Sequence, residues 1–282
     1  MSKKNKNNEP QFYLSRINTQ VLNYNVYVMS AWEKLLYMML LALAGGVVGL
    51  IFYSGLFKVD GEATALTFLS NAAVFALGGV LANKYFLSSI NETLKNKRKE
   101  KLRKQFCEFA SSLTNSLASG MNMTSALEAV YTDLKSQYSE DALIVVEVAE
   151  ILNGINNNIP IENMLEDFGA RSGVDDILNF GKVFATCYRT GGDIKSVVRR
   201  TTEIISEKMM ISSEIQTAIT SNKMQMNIMI FIPIVIVLMM RLMSKDFAQS
   251  FSTIVGVGGL SVTAGLTIGA YKLGQKIMDI KG

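Results

Sequence analysis

The chain has 282 residues, of which 49% are hydrophobic, a formal net charge of +4, and two cysteines but no histidine. With no histidine and no paired cysteine spacing, the composition argues against a metal centre and against the usual nucleophile–base constellations of hydrolases. The apolar residues are gathered into long charge-free runs, which argues against one ordinary soluble core.

Taken in chain order, the leader 1–34 opens with the polar "MSKKNKNNEP", which reads as disordered. Within it Leu14, Ile17, Val21, Tyr24 and Val28 recur at steps of three and four, the spacing of a helix lying on a membrane surface. The Val/Tyr/Asn content leaves a strand open. Two apolar runs follow, 35–57 and 64–83, each near the ~20 residues that cross a hydrocarbon core. Gly45-x-x-x-Gly49, and Gly78 with Ala82, offer close helix contact within the unit or between copies.

Span two is followed by Lys95, Lys97, Arg98, Lys99, Lys101, Arg103 and Lys104. This basic run suits anionic lipid headgroups, and equally suits a simple role in fixing orientation.

From 89 to 223 the pattern is helical throughout. Leu102, Phe106, Phe109, Leu113 and Leu117 form one apolar stripe, closed by Gly120. Ser125-x-x-Glu128 reads as a capping box for a second helix. "DALIVVEVAEIL" is apolar nearly all round and reads as a central helix rather than a buried strand. Pro160 opens a short helix to Phe168, and Gly169 and Gly173 bracket the next turn. Ile177, Phe180, Phe184 and Tyr188 mark a fifth helix, and Asp193 starts a sixth. Cys107 and Cys187 fall on apolar helical patterns and read as small core residues without a disulfide.

The junction "YRTGGDIKS" imitates a phosphate loop. Such a loop needs glycine where Arg189 and Ile194 stand, and Asp193 would occupy the helix N-terminus that a phosphate requires. Arg189, Thr190, Gly191, Gly192 and Asp193 therefore read as a turn between helices, with Gly192 expected at positive φ.

In the sixth helix Ile194, Val197, Thr201, Ile204, Lys208, Ile211, Ile215, Ala218 and Asn222 keep heptad spacing. The expected use is packing against its own bundle, and the alternative is an intermolecular coiled coil. No glycine or proline interrupts Leu81–Ser119 or Asp193–Ile232, so each stretch is expected to join a span to the bundle as one rod. Spans three and four are read at 224–243 and 247–271, the latter carrying Gly265-x-x-x-Gly269, before a tail 272–282.

The expected fold is thus an all-α membrane protein, with four transmembrane helices and a six-helix bundle between spans two and three. The distribution of lysine and arginine places both termini and the bundle in the cytoplasm. Residues 105–222 carry eight basic and sixteen acidic groups, which makes nucleic acid an unsuitable partner.

The order of spans and bundle, with "LASGMNMTSALEAV", "NNNIPIENMLEDFG" and "YRTGGDIKSVVRRTTEIISEK", resembles the type II secretion system F family over about residues 98–243. More narrowly it resembles the single-bundle TadB/TadC platform proteins of Tad (Flp) pili. The resemblance implies a non-catalytic inner-membrane platform without a cofactor. Its implied partners are a secretion ATPase that engages the bundle, a second platform subunit, pilin-like subunits and membrane lipids. It implies that the Arg189–Asp193 turn sets a helix junction or meets a partner. A small helical channel or transporter with a cytoplasmic regulatory domain is the alternative.

Overall fold

The computed structural model describes residues 10–15, 17–54, 64–243, 250–251 and 253–278. A short hairpin, β1 (Phe12–Leu14) and β2 (Gln20–Leu22), precedes the helices α1 (Ala31–Tyr53), α2 (Ala65–Ala118), α3 (Met123–Gln137), α4 (Leu143–Asn156), α5 (Ile161–Ser172), α6 (Asp175–Thr190), α7 (Ile194–Met243) and α8 (Ile254–Met278). Two compact units result. One comprises Met1–Val28 with Asn91–Ser212, the other Met29–Ile90 with Ser213–Gly282. The two longest helices, α2 of 54 residues and α7 of 50, each run unbroken, α7 with Pro233 inside it. The expected leader disorder at 1–9, the loops around 58–63 and 244–246, and the end of the tail lie outside the described residues.

The first unit is a helical bundle around one core. The predicted α2 stripe, Leu102, Phe106, Phe109, Leu113 and Leu117, is buried, and it meets Leu127 and Val130 of α3, Ile144 and Ile151 of α4, Phe168 of α5 and Phe180 of α6. Phe106 stands edge-on to Phe180 with ring centroids 5.3 Å apart. Buried side chains of this size stabilise the fold by about 1.5–3 kcal/mol each.

Four local expectations are corrected. The helix expected at 14–28 is instead an antiparallel hairpin, pairing Phe12 with Leu22 and Leu14 with Gln20. Its turn is closed by the Ser15 and Thr19 hydroxyls and by Asn18 at φ 59°, which breaks any helix there. Val21 and Tyr24 are buried, so this segment packs on the bundle rather than lying free. The cap of α3 is Asn122, whose side chain accepts from the Ser125 N–H, so Ser125 sits inside the first turn. Gly169 does not end α5. A Cβ there would lie 2.9 Å from the Leu178 Cα, and one at Gly181 would lie 2.7 Å from the Leu165 carbonyl oxygen. Both glycines serve close approach of α5 and α6, while Gly173 at φ 59° makes the left-handed cap. Finally, the face that α7 turns to its own core is Val198, Thr202 and Ile205, one position removed from the heptad stripe.

In the second unit α1 crosses α2 on small residues. A Cβ on Gly45 would overlap the Gly78 carbonyl oxygen and sit 2.6 Å from Ala82 Cβ, and one on Gly49 would lie 3.2 Å from Val74. Asn83 Nδ2 donates to the Met38 carbonyl at 3.2 Å across the same crossing. Arg241, near the end of α7, donates to the Phe52 carbonyl at 2.7 Å and the Ser54 carbonyl at 2.8 Å, capping the C-terminal end of α1 with a cation. Among the described residues α1, α2 and α7 are long and apolar enough to cross a membrane. Their exposed apolar side chains, such as Met39, Leu69 and Met229, suit lipid contact. The fourth expected span, 247–271, overlaps α8, and its residues 247–249 and 252 lie outside the described residues. Gly265 and Gly269 have open space where a Cβ would be, so among the described residues they serve no helix contact.

Candidate partner-docking site at the α6–α7 turn

The turn singled out in the sequence is built by its glycines and its aspartate. Gly191, at φ 70°, is the left-handed cap of α6. Its N–H donates to the Tyr188 carbonyl at 3.5 Å, and the Gly192 N–H donates to the Cys187 carbonyl at 3.0 Å, the paired closure of a Schellman motif. The residue that needs positive φ is thus Gly191, and the expectation for Gly192 is corrected. Gly192 is small for another reason: a Cβ there would lie 2.9 Å from Cys187 Sγ. Asp193 then caps α7, its Oδ1 accepting from the Ser196 N–H at 3.2 Å. Thr190 folds its hydroxyl back to the Thr186 carbonyl at 3.0 Å. Arg189 points away from the turn and holds α5, donating to Glu166 Oε2 at 3.3 Å and to Asn163 Oδ1 at 3.4 Å.

Beside the turn lies an open groove of about 430 Å³, lined by Lys182, Val183, Thr186, Cys187, Thr190 and Val197. Its lining is mostly apolar and includes one cation, Lys182. Lys182, Arg189, Lys195, Arg199 and Arg200 supply five of the eight cations in 105–222, while 182–200 holds one of the sixteen acids, Asp193. All five are exposed. They lie on α6 and α7, the two helices that line the groove, with Arg189 paired to Glu166 at 3.3 Å and Arg199 to Glu203 at 4.0 Å.

The basic run 95–104 is divided in its use. Lys99 donates to Asn25 Oδ1 at 2.7 Å and to the Gly173 carbonyl at 3.1 Å. Arg98 stacks over Tyr27 at 4.3 Å, Lys95 pairs with Glu92 at 2.9 Å, and Arg103 pairs with Asp176 at 2.8 Å. Lys97, Lys101 and Lys104 are exposed.

Sequence reasoning missed the buried ionic cluster that fastens the N-terminal segment. Arg171 grips both Glu147 oxygens at 3.1 and 2.9 Å, reaches Asp167 at 2.7 Å and donates to the Leu22 carbonyl at 3.2 Å. Tyr24 donates to the same glutamate at 2.9 Å, and the Thr19 hydroxyl donates to Glu150. Burial alone would lower the Arg171 pKa, but Glu147 and Asp167 outweigh it and hold the guanidinium charged. Burial first, then the Glu147 charge, pushes the Tyr24 phenol well above its usual range. The Asp167–Arg171 spacing of four residues was the one local signal, while Leu22, Tyr24 and Glu147 lie far from Arg171 in sequence. Among the described residues no three histidine, cysteine or carboxylate side chains converge as a metal site.

Residues 109–241 match the family model for type II secretion system (T2SS), protein F. The protein F segment covers just under half of the chain, from the α2 core stripe through the whole α6–α7 turn to Arg241. Segments of this kind occur in platform proteins of secretion and pilus machines, which are generally not catalysts. No curated protein and no solved structure matches the chain.

Proposed function

We propose that this chain is a non-catalytic inner-membrane platform protein of a type II secretion or type IV (Tad/Flp) pilus assembly machine. The observation that carries the reading is the protein F match, which takes in the bundle and continues along α7 into an apolar stretch fit to span a membrane. In this reading the bundle and both termini face the cytoplasm. A secretion ATPase engages the bundle, and α2 and α7 carry the resulting movement toward the spans, where pilin subunits leave the membrane. The groove beside Gly191, with Lys182 in its lining and exposed Lys195 on the facing helix, is the contact face, taking an acidic, apolar-tipped segment of the partner.

Photo-cross-linkers at Lys182 and Lys195, in the full-length chain in native membranes, test this. Recovery of a hexameric secretion ATPase and a platform-like subunit is expected. Recovery of neither, with membrane complexes preserved, would sink the platform reading.

A further inference from the structure

We propose that α7 pairs with α7 of a second copy of this chain, as a parallel two-stranded coiled coil over Ile204–Asn222. The proposal names the surface by which two subunits meet, and it stands without the ATPase reading.

The apolar heptad positions of α7 between Ile204 and Ile215 are turned away from the bundle core. Val198, Thr202 and Ile205 face the core at 1%, 6% and 3% exposure, whereas Ile204, Ile211 and Ile215 stand 47%, 57% and 52% exposed. From Ser206 to Lys223 no described residue of α7 is buried, and the isoleucine seam is left exposed. Most helical stability in proteins comes from packing an apolar face, so an exposed isoleucine seam calls for a partner. Its period of 3.5 residues matches another helix of the same repeat better than a flat surface.

Three features identify the occupant as a copy of α7. The same helix continues into the apolar stretch Met224–Met243, so two copies inserted in one membrane in the same sense present α7 in parallel. In a parallel pair the flank bearing Glu207 and Glu214 meets the flank bearing Ser212 and Ile219, so no like charges oppose. Lys208 falls in the seam, but its ammonium is drawn 3.1 Å from Asp176 of its own bundle. Asn222, at the equivalent position two heptads on, is the kind of residue that selects two strands in register.

The test is disulfide cross-linking of the full-length protein in native membranes, in a Cys107→Ser, Cys187→Ser background. Single cysteines are placed on the seam (Ile211→Cys, Ala218→Cys) and on the opposite side (Ser213→Cys, Thr220→Cys). Oxidation with copper–phenanthroline should give covalent homodimer at the seam positions at least about tenfold over the opposite ones, as knobs-into-holes packing demands. Adding Ile211→Asp to Ala218→Cys should abolish that product while the protein stays in the membrane. Equal cross-linking at all four sites, none at any, or a seam adduct with a different protein would each overturn the proposal. Failure to recover the ATPase in the photo-cross-linking above would leave this result untouched.

Discussion

At the scale of single residues, the turn divides its work between two adjacent glycines. Gly191 is needed for its φ of 70°, and Gly192 for the space against Cys187. Gly191→Val should therefore lower stability by about 1–3 kcal/mol, the cost of holding a side chain in the left-handed region. Thermal unfolding of the detergent-solubilised protein reads this. Gly192→Ala should be destabilising alone and recovered by adding Cys187→Ala, because the second change removes the sulfur. Failure of that rescue would show that the clash is not the reason for the glycine. Titration adds a second residue-scale expectation. Burial first, then the hydrogen bond and charge of Glu108, push the Tyr138 phenol up to about 12. A folded pKa above the unfolded one means the contribution is complete below about pH 10 and is lost as pH rises through 12. Tyr24 is shifted in the same direction. Unfolding should therefore begin above about pH 10, and Tyr138→Phe should flatten that limb; an unchanged alkaline profile would contradict it. The turn was legible in the sequence because glycine and aspartate act on their own backbone. The Arg171–Glu147–Tyr24 cluster was not, since its members come from α5, α4 and the N-terminal segment and carry no local pattern.

Among the elements, the helices were legible wherever one face is buried. The α2 stripe and the Phe180/Phe184 face of α6 are the residues that form the core. Two elements misled for physical reasons. In the N-terminal segment Leu14, Val21 and Tyr24 keep helical spacing, yet the hydroxyl-closed turn and the Arg171 and Glu147 contacts favour a hairpin held on the bundle. In α5 glycine was read as a breaker, while tertiary contact uses it as a spacer. Arg171→Met tests the first case. It strands the Glu147 carboxylate, 2% exposed, and should cost about 3–5 kcal/mol, as breaking a buried ion pair does. Amide exchange of residues 20–24 should rise in step. A second test concerns α2. Seven basic residues in 95–104 offer many tryptic sites, but they lie inside an unbroken helix. Cleavage there in the native protein should be slow compared with the denatured chain, because proteases require locally opened backbone. Ready cutting would mean that the helix is not continuous in solution.

For the whole molecule, the question is what joining a bundle to membrane spans by uninterrupted helix achieves. A flexible linker transmits no torque or translation, whereas a helix keeps the register of its residues at 1.5 Å per residue. Both α2 and α7 belong in part to each unit, and neither contains a glycine where the units divide, near Ile90 and Ser212. In the function proposed above, that arrangement lets the spans follow a bundle that is pushed. Glu92→Pro tests it at a site outside the core, the α6–α7 groove and the α7 seam. Proline inside a helix removes a hydrogen bond and costs about 3 kcal/mol or more, so α2 should kink or break locally. The protein should still insert, the bundle should still melt as before, and the α7 cross-links should persist. On the proposed function, pilus or secretion output should nevertheless fall sharply, since a broken α2 would no longer couple the bundle to the apolar stretch at its other end. Normal output from a variant whose helix is demonstrably broken would refute the mechanical role of α2 and leave α7 as the sole connection able to transmit force.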